Sequence, residues 1–175
     1  MDLLEVIAGI QEKIGKSTAS EEDQKGIDVS EVWYLWDILI SKYDAIEKVD
    51  IISSFSQDKD LKVALNSIQK HFEQGSEKLE GLMLEYSVPL PERPPQKTNI
   101  VTNLDIFTDK YIFNHSFELL QGFVPILALS FIFSSTPKIK KVYKNHLIGH
   151  MEMIDNLLLF GQLKGYFPPL PAYQP

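Results

Sequence analysis

Cysteine is absent from this chain of 175 residues, which excludes disulfides, thiolate zinc sites, iron–sulfur clusters and a cysteine nucleophile. The Gly-x-Ser-x-Gly elbow, the phosphate-binding glycine loop and the His-Glu-x-x-His helix are missing too, and with them the commonest hydrolase, nucleotide and metalloprotease signatures. Cations are the minority. Lys and Arg number 17 against 24 Asp and Glu, a formal charge of −7, so the many phosphate contacts of a nucleic-acid binder are not expected. The one basic cluster, Lys138, Lys140, Lys141 and Lys144, reads as a solvated helix face. No apolar run reaches bilayer length: the longest, Phe123 to Phe133, is about half of the ~20 residues required and contains Pro125. It reads as a buried helix segment, and no membrane partner is expected. Met1-Asp-Leu-Leu-Glu places acids where a secretory signal needs cations, so the mature chain is expected to begin here and to be intracellular.

What is present is helical periodicity. Hydrophobic residues at 44% and charged residues at 23% are ordinary for one soluble domain. Leu3, Val6, Ile7, Ile10 and Ile14 mark a short amphipathic helix, followed by a polar stretch from Gly15 to Gly26. A first main helix should start near Asp28 or Ser30 with Val29, Val32, Trp36, Leu39, Tyr43 and Ile46 on its apolar face, widened by Trp33, Leu35 and Ile40. The second keeps a four-three spacing through Leu61, Leu65, Ile68, Phe72, Gly75, Leu79, Leu82 and Tyr86, the pattern of bundle packing. The third is expected from Thr102 or Asn103 to Ser134, apolar on two sides, with a kink near Gly122 and Pro125. The fourth should run from Pro137 to Lys164, with Tyr143, Leu147, His150, Ile154 and Leu157 inward and Gly165 as its stop. This divides the chain into an arm and linker (1–27), a bundle (28–165) and a proline-rich tail (166–175), in which Phe167, Leu170 and Tyr173 are the expected anchors.

Eight of the ten prolines lie in two runs, Pro89 to Pro95 and Pro168 to Pro175. Helices of such length are roughly 40 Å long. The connection from Ser87 to Thr102, at roughly 3.1 Å per extended residue, spans about 50 Å, one bundle length. The expected fold is therefore all-α: a ferritin-like four-helix bundle with a long Pro-rich crossover between helices 2 and 3, plus a short N-terminal helix.

Such a fold invites a carboxylate-bridged di-metal site, which needs inward Glu on two helices and Glu-x-x-His on the other two. No Glu-x-x-His occurs, and helix two has no acid on its core stripe. The remaining metal candidates are His115 with Glu118, three apart, and His146 with His150, four apart, which could hold a single transition metal. A hydrogen-bonded core histidine is the simpler reading of each, His146 beside the lysine cluster should be exposed, and His71 is a weaker candidate still. No cofactor is expected. Asp37, Asp44 and Glu47 read as solvated carboxylates rather than an acid–base pair, and Trp33 and Trp36 as packing rather than a ligand pocket.

Leu35-Trp36 with Tyr43, Asp58 to Lys62, Val88 to Pro95, and Lys164 to Pro169 with Tyr173 together resemble an uncharacterised ferritin-like family of Bacillus-type spore formers. Its members are often labelled "putative spore coat proteins". The similarity runs from about Glu31 to Tyr173, and Tyr166 stands where that family commonly has Trp. The resemblance implies the fold and an association with spores, and it carries no activity and no site residues. The expected function is therefore that of a non-enzymatic structural or interaction protein, homodimeric through the apolar third helix, with coat or other intracellular proteins as partners. A metal- or ligand-binding bundle with a redox or hydrolytic role is the alternative.

Overall fold

The computed structural model describes residues 3–7, 26–93 and 107–167. Residues 3–7 are helical and exposed. The body consists of four helices: α1 (Val29–Ser53), α2 (Lys59–Glu85), α3 (Asp109–Phe133) and α4 (Pro137–Lys164). Among the described residues there is no strand.

Each helix begins where a side chain or proline resolves the unpaired first turn. The Asp28 carboxylate accepts from the Glu31 amide while Glu31 accepts from the Asp28 amide, a complete capping box. Asp58 accepts from the Asp60 and Leu61 amides, and Thr108 from that of Tyr111. In α4 the first position is Pro137, which has no amide hydrogen to satisfy. At the far end Gly165 adopts φ 70°, the left-handed geometry that glycine reaches without a Cβ penalty. The same task after α2 falls to Ser87, at φ 56°, with the Val88 amide donating back to the Met83 carbonyl at 2.8 Å.

Contacts at the two ends fix the topology. At one end, Ser56, Gln57 and Asp58, between α1 and α2, bond to Asp109 at the start of α3, and Tyr166, just after α4, donates to Asp58. At the other, Glu31 at the start of α1 bonds Ser135 and Thr136 between α3 and α4, and Lys138 pairs with Glu85 at the end of α2. α2 and α3 therefore start at the same end, run parallel, and need a connection as long as the bundle. Its described parts agree. The Trp36 indole N–H donates to the Pro89 carbonyl at 2.7 Å. Arg93 has already returned to the level of Tyr43 and Glu80, over the Tyr43 ring and bonded to the Glu80 carboxylate. Phe107 then stacks on Phe55, ring centres 4.6 Å apart, at the opposite end.

Three expectations need correction. α3 starts at Asp109 rather than at 102 or 103, because Thr108 caps it and Asp109 is held by the α1–α2 turn. The core stripe of α1 includes the expected Leu35, Leu39 and Tyr43, all buried, but is not centred on the Val29–Trp36 face. It runs through Leu35, Ile38, Lys42, Ala45, Val49 and Ile52, all buried, while Val29 and Trp33 are 86% and 57% exposed. A lysine at the centre of that register hid it. The Phe123 to Phe133 segment is not wholly buried either, since Leu129, Ile132 and Phe133 are exposed. α3 is continuous through Pro125, with Gln121 and Pro125 both exposed, so the lost helical bond lies on the solvated side. Phe167 does anchor, edge-on to Phe113 and Phe117 with ring centres at 5.2 and 5.0 Å; Leu170 and Tyr173 lie outside the described residues.

Glu31 and Asp109 act reciprocally. Each carboxylate, in the first turn of one hairpin, accepts from the backbone of the turn in the other: Ser135 N and Thr136 N at 2.9 and 2.7 Å, and Gln57 N and Asp58 N at 2.8 and 3.0 Å. Glu31 also accepts from the Thr136 hydroxyl and is fully buried. Glu31→Ala should lower the unfolding free energy by about 2–3 kcal/mol, and Asp109→Ala by somewhat less, because several donors lose a charged acceptor; denaturant titration measures both. Ser87→Gly should raise it by roughly 0.5–1 kcal/mol, through relief of the left-handed backbone, and an unchanged denaturation midpoint would contradict that assignment.

Candidate functional site at the centre of the bundle

The centre of the bundle, where a di-metal protein of this topology would place its carboxylates, is occupied by Lys42. The four-three-four register of α1 points this side chain inward, and it is fully buried. Its ammonium nitrogen lies 5.3 Å from the ring centres of both Phe72 on α2 and Phe123 on α3 and makes no hydrogen bond among the described residues. Space for it comes from Gly75: a Cβ there would stand 2.8 Å from the lysine nitrogen. The glycine that continues the core stripe of α2 thus acts as the socket of the lysine.

Around it stand three imidazoles. His71 Nε2 lies 3.0 Å from His150 Nδ1, and the same His150 nitrogen lies 3.0 Å from the His146 carbonyl. A carbonyl only accepts, so His150 Nδ1 carries the proton and donates to it, which leaves His150 Nε2 as a bare acceptor. That atom, both ring nitrogens of His146, the Tyr143 hydroxyl and the Lys42 amine are the buried side-chain polar atoms without a partner among the described residues. Burial pushes Lys42 down to about 7, reinforced by the charge of Lys78. Burial, with the Lys42 charge next, holds His71 at about 4, His146 at about 3 and His150 at about 2. The two aromatic faces favour the charged lysine, but two rings do not offset the loss of water around an ammonium ion with no acid beside it. At neutral pH the three imidazoles are uncharged, and Lys42 exchanges its proton near neutrality.

His146 and His150 do face the core, and His146 is 7% exposed rather than exposed. His150 meets His71, which spacing alone ranked low. His115 lies with Tyr111, the rings parallel and 6.0 Å apart, and Glu118 is exposed. Among the described residues no three His, Asp or Glu side chains converge enough to hold a metal ion, so His115 and Glu118 do not complete a ligand set with His146 and His150. Lys42 was missed because a lysine inside an apolar register reads as a surface residue. The signal that could have found it is its exact continuation of the Leu35, Ile38, Ala45, Val49 spacing.

Two further features lie on the surface of the bundle. A groove of about 290 Å³ between α2 and α4 reaches His146. On the other side, α1 and α3 present Trp33, Leu129, Ile132 and Phe133 to solvent, with Tyr34 stacked on Phe133.

No protein-family model matches the chain, and no curated protein matches it. Solved structures do. A "putative spore coat protein" of Bacillus halodurans superposes with a TM-score of 0.81 at 17% identity, over 89% of this chain and 100% of that one. The fold is ferritin-like. The same architecture appears in a conserved hypothetical protein of Mycobacterium tuberculosis (TM-score 0.65, 12% identity, 89% and 100% covered). It appears again in an Anabaena variabilis protein with DJ-1/ThiJ/PfpI-like and ferritin-like domains (TM-score 0.63, 13% identity), where this chain spans 42% of the longer protein. The label carried by the Bacillus halodurans structure is the one that the sequence resemblance suggested, and these identities establish the fold alone.

The pH dependence of stability follows from the centre. Each of these bases binds its proton more weakly folded than unfolded, so its cost is absent above the unfolded value and grows as pH falls towards the folded one. For Lys42 the window runs from about 10.5 down to about 7; for the histidines it opens below about 6.5. Lys42→Met, similar in volume and uncharged, should stabilise the fold at pH 7 by roughly 1–3 kcal/mol and flatten the rise in melting temperature between pH 7 and 10. A melting profile with the wild-type slope in this variant would show that Lys42 is not the group titrating.

Proposed function

We propose that this chain acts by association and not by catalysis: it is a structural or interaction protein that pairs with a second copy of itself through the face formed by α1 and α3. The observation that carries this reading is the apolar surface there. Trp33, Ile132 and Phe133 are 57%, 62% and 58% exposed, and the Tyr34–Phe133 stack, with Trp33 edge-on to Tyr34 at 5.0 Å, joins them into one patch across two helices. Only 33% of the most apolar stretch of α3 is buried within the chain, and apolar surface of this extent marks a contact site. α3 is also long and apolar enough to cross a membrane by length and composition. Its close packing on α4 and α1 and its buried Phe113, Phe117 and Leu120 favour a helix of the bundle with one face given to a partner.

The centre supports the same reading. A lysine set between Phe72 and Phe123 opposes binding of a divalent cation at the place where the fold could hold one. The label of the Bacillus halodurans neighbour, a coat protein, is in keeping with assembly, and deposition in a coat is the form of association that the resemblance favours. Light scattering coupled to gel filtration should give a dimer for the full chain and a monomer for the Ile132→Glu, Phe133→Glu double variant at unchanged helicity. A monomeric wild-type chain would overturn the proposal.

A further inference from the structure

We propose that the groove between α2 and α4 is a binding site for a small organic carboxylate with a short apolar body. α2 and α4 pack less closely than α1 and α3, the other pair that faces across hairpins, and the space left is about 290 Å³. That is the lower end of the range for small-molecule sites.

Its inner end is His146, 7% exposed yet lining the groove, with neither ring nitrogen bonded among the described residues. A buried imidazole with two unsatisfied nitrogens is costly, and an occupant of the groove is what relieves it. The neutral ring has one N–H to donate, which suits an anionic oxygen better than a cation. Lining the same groove is Lys78, which forms no ion pair with an acid among the described residues. Its charge bears on Lys42, His71 and His146, all of them bases, so a positive field meets at the inner end with no acid to balance it. The single acid of the lining, Glu85, is engaged at the outer end by Lys138 at 2.5 Å. The walls between are Leu82 and Val142, with Asn145 adding an amide at the rim.

This order of groups matches a monoanionic head followed by a few apolar atoms. The carboxylate accepts from the Lys78 ammonium and the His146 ring N–H, and the body covers Leu82 and Val142. Inorganic phosphate supplies the charge but gains nothing from those walls; a neutral aryl alcohol fills the walls but leaves Lys78 and His146 without an anion.

Titration of the isotopically labelled full chain with benzoate, benzyl alcohol and inorganic phosphate separates these cases. Benzoate should give saturable shifts confined to backbone amides of residues 78–85 and 138–146 and to the His146 ring. Lys78→Ala, an exposed substitution, should weaken binding by about tenfold, the scale of one charged hydrogen bond. His146→Phe, which keeps a ring and removes both nitrogens, should weaken it comparably while the far-UV spectrum stays unchanged. The proposal falls if benzoate does not saturate the groove, if benzyl alcohol or phosphate binds as tightly, or if Lys78→Ala binds like the wild type. Because none of these residues lies on the α1–α3 face, the outcome is independent of whether the chain dimerises.

Discussion

The reciprocal pair of carboxylates, Glu31 and Asp109, sets the register on which the rest of the bundle depends. Each projects from the first turn of one hairpin and satisfies the backbone of the turn in the other. Together they pin the hairpins at both ends and leave them no freedom to slide. Helix pairs that pack by interlocking side chains tolerate register only in steps of a turn. Fixing the ends therefore fixes which layer of α1 faces which layer of α2, α3 and α4. With that register Lys42 meets Gly75 on α2, between Phe72 and Phe123, and His71 meets His150. The long crossover is the covalent consequence: both carboxylate contacts are possible only if α2 and α3 start at the same end.

The centre thus built is unusual in its balance. A bundle of this topology usually supplies acids to its middle when it binds metals, and this one supplies bases. They carry little charge at neutral pH because burial disfavours their protonated forms. The result is a middle that is polar in composition and carries little charge of its own, with several donors and acceptors lacking partners among the described residues. Such a middle costs stability, and the cost is met by the extensive apolar layers above and below, Leu61, Leu65 and Phe113 at one end and Leu79, Leu82 and Leu35 at the other. The outward apolar face of α1 and α3 lies apart from this centre, so association and occupancy of the α2–α4 groove are physically separable properties of one bundle.

Much of the architecture was legible in the sequence. The capping residue Asp28, the proline at the head of α4, Gly165 at its end and the unbroken spacing of α2 are local signals, each readable because it satisfies a neighbouring backbone group or a helical repeat. The start of α3 was not, since Thr108 is preferred over Thr102 through contacts that Asp109 makes with a turn some fifty positions away. The place of Lys42 in the α1 stripe was not legible for a related reason. Binary patterning assigns a lysine to solvent, and only packing reveals that a glycine on another helix has left room for it. Of the histidines, the spacing of His146 and His150 correctly placed both on one face, but their neighbour proved to be His71, because facing across helices is not encoded in the spacing along any one of them.

By itself, then, the sequence determined that four amphipathic helices form, where all but the third begin, and that the connection between the second and the third is long enough to match the bundle. Hydrogen-bond satisfaction and hydrophobic period are local, and local chemistry can be read from local residues. Only the tertiary structure decided what occupies the middle and what is left uncovered. Those outcomes depend on the relative rotation and height of helices distant in sequence, and two long-range carboxylate contacts, invisible to any periodicity, select one arrangement among those that the same helices could otherwise adopt.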